Sequence, residues 1–529
     1  MKKIIYLIAV MLTTSIVFTA CVDDLDVVPL DPSEVTSATV YDDPEAYRQV
    51  LGKLYAGLAV SGQEGPAGQA DISGIDEGFG QYLRGLWYHQ VLTTDEAVIG
   101  WDDQTIKDFV YHSWGSSDVF ITAMYSRIFY QISLANEFLR QTEAGLLNDR
   151  GVDDDLRAEI QIYRAEARFL RALSYWHALD MFGDVPFVLD TDPIGAYLPE
   201  QIDRQDLFDF VEQELLEVVD DMVPARQNEY GRADQAAAWM VLAKLYLNAE
   251  VYSGQPRYNE VIEYCEYIID AGYDLADEYA HLFNADNNPI QNPDLNEVIF
   301  AIRYDGIDTQ TFGGTNFIIH AAVGGDMSAG DYGVDGGWGG LRTTANIVNL
   351  FHDNDNRAMF VGEEGGQSLE IENLSEFSNG YAVVKFTNID RNGEPGSNLE
   401  FVDTDFPMFR LADVYLMYAE AHLRGGGGNA NDALDYFNAL RERAFGDASG
   451  NITSLNLSRV FEERARELYW EGHRRTDMIR FEQFTGGNYV WPWKANIREG
   501  GATDARYNLF PLPSSDITAN PNLEQNPDY

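Results

Sequence analysis

An apolar stripe that returns every three or four residues is the feature that most constrains this chain. Over 156–182, Leu156, Ile160, Tyr163, Ala167, Leu170 and Leu173 fall on one face of a helix. Asp153, Asp154 and Asp155 precede it, where the positive end of the helix dipole favours acids. Gly183 and Pro186 predict its stop. Patterns of the same kind run over 118–143, 204–222, 234–252, 258–271, 409–424, 430–445 and 458–481. The expected fold class is therefore mainly α. Trp176, Trp239 and Trp470 lie on these helices and are expected to anchor the core.

Several helices come in pairs, and the pairs resemble tetratricopeptide repeats. Trp239, Leu242, Ala243 and Tyr246 fit the first-helix spacing of that repeat. In 410–444 two amphipathic helices flank a glycine-rich turn, and small residues such as Ala243 and Ala419 let paired helices approach closely. Two tracts read as shaped loops instead. Residues 57–85 hold eight glycines and residues 313–342 hold ten, and each glycine costs a helix interior about 1 kcal/mol relative to Ala. Loops on a rigid scaffold are where binding usually resides. Short strands are expected at 297–304 and 380–386.

Charge and cysteine content exclude whole classes of function. A formal net charge of −50 over 529 residues excludes nucleic acid as a partner, because phosphate binding needs a basic surface. Two cysteines, Cys21 and Cys265, can build neither a disulfide framework nor a zinc site. Cys265, in an apolar stretch, is expected to be buried and inert. At the start, Lys2 and Lys3 precede an apolar run from Ile4 to Phe18, then Thr19, Ala20 and Cys21. This reads as a secretory signal too short to span a bilayer. The cysteine after small residues resembles a bacterial lipobox, which implies acylation of Cys21 and a lipid anchor. The competing outcome is ordinary cleavage that leaves a free thiol. Asp23, Asp24 and Asp26 follow and resemble the surface-export signal of outer-membrane lipoproteins.

Compact catalytic signatures are absent: there is no G-x-S-x-G elbow, no H-E-x-x-H and no phosphate loop. The eight histidines show no ligand spacing. Asn388, Asp390, Asn392 and Gly393 imitate the first half of a calcium loop, but Leu399 stands where that loop needs its last carboxylate, so a plain turn is expected. No metal and no cofactor is expected. Paired carboxylates for glycoside hydrolysis can be drawn from 86 acids in countless ways, which argues neither for nor against a hydrolase.

At 164–186, "RAEARFLRALSYWHALDMFGDVP", the chain resembles the SusD/RagB family of outer-membrane nutrient-binding lipoproteins. The segments 92–103 with 113–114, 336–351, 409–421, 461–481 and 509–529 resemble successive parts of that family in the same order. The resemblance implies four tetratricopeptide-like helix pairs in a right-handed superhelix, cradling an irregular, loop-rich lobe with a few short strands. It implies capture of oligosaccharide, or of peptide in some members, without catalysis. It also implies a partner, a TonB-dependent outer-membrane barrel of the SusC type, over which the lipoprotein sits as a lid on the cell exterior.

On that reading, residues 1–20 are a signal peptide, 21–40 an acidic surface tether and 41–529 one composite domain. Its repeats lie at about 118–275 and 408–485, its ligand lobe at about 57–117 and 280–407, and an irregular C-terminal segment at 486–529. A pyranose offers an apolar C–H face to aromatic rings and an edge of hydroxyls to Asp, Asn and Arg. Trp101, Tyr304 and Trp338 fall in or beside the loop tracts. Starch-binding members resemble the chain at "GIDEG", 74–78, which places Asp76, Arg84 and Trp101 in the site; the departure is Ile99, where a further aromatic would extend a starch platform. Both tryptophans can equally be partly buried packing, and Asp76 and Arg84 can equally be structural. Two other functions compete: a helical-repeat protein that binds peptide or protein, and a glycoside hydrolase.

Overall fold

The computed structural model describes residues 40–529 apart from Ala196. The signal sequence, Cys21 and nearly all of the acidic tether lie outside the described residues. The described chain is mainly helical. Its principal helices are α1 (Ala46–Ala59), α2 (Tyr82–Trp87), α3 (Val119–Gln141), α4 (Asp154–Phe182), α5 (Arg204–Val218), α6 (Gln235–Leu247), α7 (Tyr258–Asp270), α8 (Gly314–Ala322), α9 (Leu411–Leu423), α10 (Ala430–Phe445), α11 (Leu457–Leu468) and α12 (Arg474–Arg480). Several boundaries have a local cause. Asp118, Asp153, Asp203 and Asp234 accept hydrogen bonds from the first-turn N–H groups of α3, α4, α5 and α6, and Gly183 ends α4 at φ +74°.

Neighbouring helices stack in sequence. α3 packs on α4 and α4 on α5; α6 packs on α7, α7 on α9, and α9 on both α10 and α11. Trp176 and Trp470 are buried and Trp239 is half-buried against the same core. Cys265 is buried, and burial pushes its thiol well above the ordinary range.

Among the described residues, eight strands form four two-stranded antiparallel sheets: β1 (Val98–Ile99) with β5 (Leu341–Arg342), β2 (Val185–Pro186) with β3 (Gln201–Ile202), β4 (Val298–Ile302) with β8 (Phe406–Arg410), and β6 (Phe360–Val361) with β7 (Ala382–Val383). Residues 409–410, expected as helix, thus finish a strand, and α9 starts only at Leu411, whose N–H donates to Glu297 O at 3.0 Å.

Three further differences from the sequence reading have physical reasons. The tract 313–342, read as glycine loop throughout, contains α8: its glycines sit at the start of the helix and beyond its end, so 315–323 is free of them. Within 57–85, α2 forms because Gln81 caps it, accepting from Arg84 N at 2.7 Å. The stripe over 458–481 is not one helix. It breaks at Tyr469–His473, with Trp470 at φ +66° and Gly472 at +81°. The carbonyls freed there find side chains: Glu467 O accepts from Tyr279 and Arg410, and Tyr469 O accepts from Lys385.

Buried charge links the repeats to the strands. Arg410 bonds Glu297, Glu467 and Glu471 at 2.6–2.8 Å, and Arg357 bonds Glu463 and Glu467 at 2.7 and 2.9 Å. Burial alone would raise the Glu467 carboxyl, but the guanidiniums of Arg443, Arg410 and Arg357 override it and hold the group well below the usual carboxylate range.

The pH dependence of stability follows from such groups. Burial lowers His89, His112, His177 and His473 to about 3. Below the ordinary imidazole value of 6.5 the unfolded chain binds protons that the folded chain refuses, so their contribution is lost as pH falls from 6.5 towards 3. Burial raises Glu96 to about 8, Asp405 to about 7 and Asp234 to about 6. These contribute stability at low pH that is lost as pH rises through those values. The two sets oppose each other down to about pH 4.5. Below that, Glu463 and Asp477, each held near 2 by guanidiniums that outweigh burial, add to the loss. The expected profile of melting temperature against pH is flat around pH 6.5 and falls steeply below about pH 4. A melting temperature unchanged from pH 6.5 to pH 3.5 would refute it.

Candidate functional site

Four of the five residues singled out in the sequence converge on one open, shallow depression. Asp76, Arg84, Trp101 and Trp338 line it together with Phe312 and the acids Glu77, Asp102 and Asp103. They arrive from three stretches of chain: the loop before α2 with α2 itself, the loop after β1, and the loops on either side of α8.

The loop that carries Trp338 is held by the C-terminal end of α8. Trp338 N donates to His320 O at 2.7 Å, Gly340 N to Ala321 O at 2.8 Å and Gly339 N to Val323 O at 2.8 Å. These bonds satisfy carbonyls that a helix end leaves unpaired. Only Gly339 among the four glycines around Trp338 needs a positive φ, at +59°. Gly337 and Gly340 serve close approach instead: a Cβ on Gly337 would lie 2.2 Å from Val323 O, and one on Gly340 would lie 2.4 Å from the Trp101 ring. In the first loop, Gly74 turns at φ +83°, whereas Gly78 leaves room for Asp76 and Arg84.

The two indoles lie 6.4 Å apart at 44°, so together they form a curved face. Trp101 Nε1 donates to Trp338 O at 3.2 Å. Trp338 stacks on buried His320 at 4.9 Å and 20°, which leaves its other face for the depression. Burial lowers the His320 imidazole, and its Nδ1 bonds Gly336 O at 2.7 Å. Both tryptophans are half-buried, so packing and exposure hold together for each ring.

Polar groups surround the rings. Arg84 is fixed through Nε to Tyr88 OH and through Nη1 to Phe312 O, both at 2.8 Å, while Nη2 has no hydrogen-bond partner among the described residues. Its guanidinium lies 4.3 Å from the Phe317 ring. Exposed Asp76 closes its own turn, accepting from Gly78 N at 2.9 Å and Phe79 N at 3.2 Å. Lys107 pairs with Asp102 and donates to Ser375 Oγ at 2.7 Å. Rings for an apolar face, with a guanidinium and carboxylates for hydroxyls, are what a sugar's two surfaces require.

Tyr304 does not join them. It is 5% exposed, and its ring lies inside the protein. Its hydroxyl accepts from Gln81 Nε2 at 3.3 Å, and Gln81 Oε1 in turn accepts from Arg84 N and from Gly314 N. Tyr304 therefore reaches the depression only through the residue that caps α2. Ile99, where a further platform aromatic was sought, is fully buried in β1 and presents nothing to the surface. Phe312, Glu77, Asp102 and Asp103 escaped the sequence reading. The acids directly after Trp101, and an aromatic directly before Gly313–Gly314, were the available signals. The calcium-like stretch is a closed turn in which Asp390 accepts from Asn392 N and Glu394 N. Among the described residues no three His, Cys, Asp or Glu side chains are grouped to hold a metal ion.

Comparison with known proteins places these features among relatives. Residues 363–529 match the model of the SusD family, and residues 85–247 match a model described as starch-binding and associating with the outer membrane. The starch-binding protein SusD of Bacteroides thetaiotaomicron is 34% identical across 97% of this chain and 96% of its own. A SusD-like protein of Bacteroides ovatus is 24% identical across 90% and 82%. Among solved structures, surface glycan-binding protein A of Bacteroides thetaiotaomicron, in complex with laminarihexaose, superposes with a TM-score of 0.68 at 20% identity. It covers 91% of this chain and 99% of its own. A SusD superfamily protein of Parabacteroides distasonis gives 0.69 at 22%, covering 94% and 100%. These likenesses carry the fold.

Proposed function

The chain belongs to the SusD family, and from that premise we propose that it captures oligosaccharide, a glucan in the first instance, on the face formed by Trp101 and Trp338. The observation that carries the reading is the convergence of two half-exposed indoles and the free Nη2 of Arg84 in one open depression. An open site of this kind grips the middle of a glycan chain as readily as its end. The starch-binding relative supports a glucan.

Delivery completes the proposal. The protein is anchored through an acylated Cys21 on the outer face of the outer membrane, and it passes glycan to a TonB-dependent barrel of the SusC type. It performs no hydrolysis. Mass spectrometry of membrane-purified protein is expected to find diacylglycerol and acyl groups on Cys21 as the first residue; an unmodified cysteine would remove the anchor from the proposal.

Titration calorimetry of the chain lacking residues 1–21 against malto-, β-1,3-gluco- and xylo-oligosaccharides tests the capture step. A glucan series is expected to bind, with no new reducing ends after prolonged incubation. Binding of none of them, or turnover abolished by a single Asp or Glu substitution, would overturn the reading.

A further inference from the structure

A second pair of half-buried rings stands beside the depression. Tyr111 and Trp493 lie 6.4 Å apart at 46°, close to the separation and tilt of Trp101 and Trp338. Both pack against the core and keep part of their surface exposed. Two routes lead from the depression to this pair. The first is the short helix Ile106–Tyr111. Lys107 and Tyr111 are four residues apart, so they share a face of that helix one turn from each other. Lys107 pairs with Asp102, which lines the depression. Burial, then the charges of Asp102 and Asp108, raises the Tyr111 hydroxyl, so the ring feels the same acid.

The second route is the segment 371–375. Ile371 O accepts from Trp493 Nε1 at 3.0 Å, and Ser375 Oγ accepts from Lys107 Nζ at 2.7 Å. The end of the segment passes Gly100, the neighbour of Trp101: a Cβ there would lie 3.4 Å from Leu374 O and 3.5 Å from Ser375 O. The four peptide units from Ile371 to Ser375 reach no further than about 14 Å. The two ring pairs thus fall within the span of one oligosaccharide. Trp493 is also held firmly. It sits at φ +71°, and Ala495 and Asn496 follow at +60° and +56°. A residue with a Cβ is disfavoured in that region, and backbone held there clusters at ligand sites. Buried Lys494 secures the turn, donating to Tyr489 O at 3.0 Å and to Gly486 O at 3.3 Å.

We propose that Tyr111 and Trp493 form a second contact for the same oligosaccharide, which lies on Trp101 and Trp338, crosses Lys107 and rests its far residues on the second pair. The inference rests on the capture proposed above and adds to it a preference for longer chains. Two observations favour a sugar over a peptide. The second pair repeats the ring geometry of the first. Between the pairs stand exposed Asp102, exposed Ser375 and Lys107, which spends two of its three N–H groups on them. Such groups serve hydroxyls, and half-exposed rings serve the apolar face of a pyranose.

The test is calorimetry on the chain lacking residues 1–21, with the trisaccharide and the heptasaccharide of the malto- and β-1,3-gluco- series. In the unaltered chain the heptasaccharide of the series that binds is expected to bind at least about fivefold more tightly than the trisaccharide. Trp493→Ala and, separately, Tyr111→Ala should remove most of that gain, while affinity for the trisaccharide changes by less than about twofold. Trp493→Phe, which keeps a ring, should restore part of the gain. Tyr111→Ala leaves the 493–496 turn intact, so it reads the second contact where Trp493→Ala fails to fold. Equal affinity for both lengths in the unaltered chain, or equal losses for both lengths in Tyr111→Ala, would overturn the second contact and leave capture at Trp101 and Trp338 standing. Binding of neither series at either length would remove the glucan reading and the second contact together.

Discussion

Replacing Trp101 and Trp338 together by alanine is expected to weaken oligosaccharide binding by tenfold to a thousandfold while the fold survives. Each ring stacked on a sugar face is worth on the order of 1–2 kcal/mol by burial, and two of them give roughly that range in Kd. The fold should persist because both rings are half-exposed and lie off the helical stripes. The Gly340→Val variant gives an independent check: its Cβ would lie 2.4 Å from the Trp101 ring, so the ring must leave its place. It should reproduce much of the loss seen in Trp101→Ala with both tryptophans still present. Calorimetry on variants shown by circular dichroism to be folded reads both effects. Unchanged affinity in the folded double variant would move the site elsewhere.

Loss of the Glu467 carboxylate is expected to be the most damaging single change to stability. Glu467 is fully buried and receives Arg357, Arg410 and Arg443 at once. The Glu467→Ala variant leaves three guanidiniums short of a counter-charge in a site closed to water. Breaking a buried pair in this way costs about 3–5 kcal/mol. The exposed pair Arg48–Glu229, with side chains 58% and 57% exposed, makes the contrast: its removal should cost under about 1 kcal/mol. Urea unfolding of Glu467→Ala beside Arg48→Ala measures the difference. Similar costs for the two would mean that burial does not govern this cluster.

The depression proposed to hold glycan was partly legible from sequence. Trp101 and Trp338 were singled out because they stand outside the helical stripes, and the structure brings them together, half-buried, at one depression. The same criterion misplaced Tyr304, which follows a strand yet points inward to Gln81. Direction at a strand end depends on what packs there, and sequence position does not carry it. Phe312 was overlooked because it stands one residue before the glycine tract that drew attention.

Local chemistry determined the helices from sequence alone. Their periodicity, their aspartate caps and their glycine stops act within a few residues of chain, so the sequence already holds both partners of each interaction. Tertiary structure decided everything that joins distant segments. The contact between Trp101 Nε1 and Trp338 O spans 237 positions, and the bond from Arg410 to Glu297 spans 113. The break between α11 and α12 belongs to the same class, because Glu96, Lys385 and Arg410 supply the hydrogen bonds that make a broken helix affordable there. A backbone amide or a buried carboxylate is satisfied by whichever group the fold brings within about 3 Å, and that group is written nowhere near it in the chain.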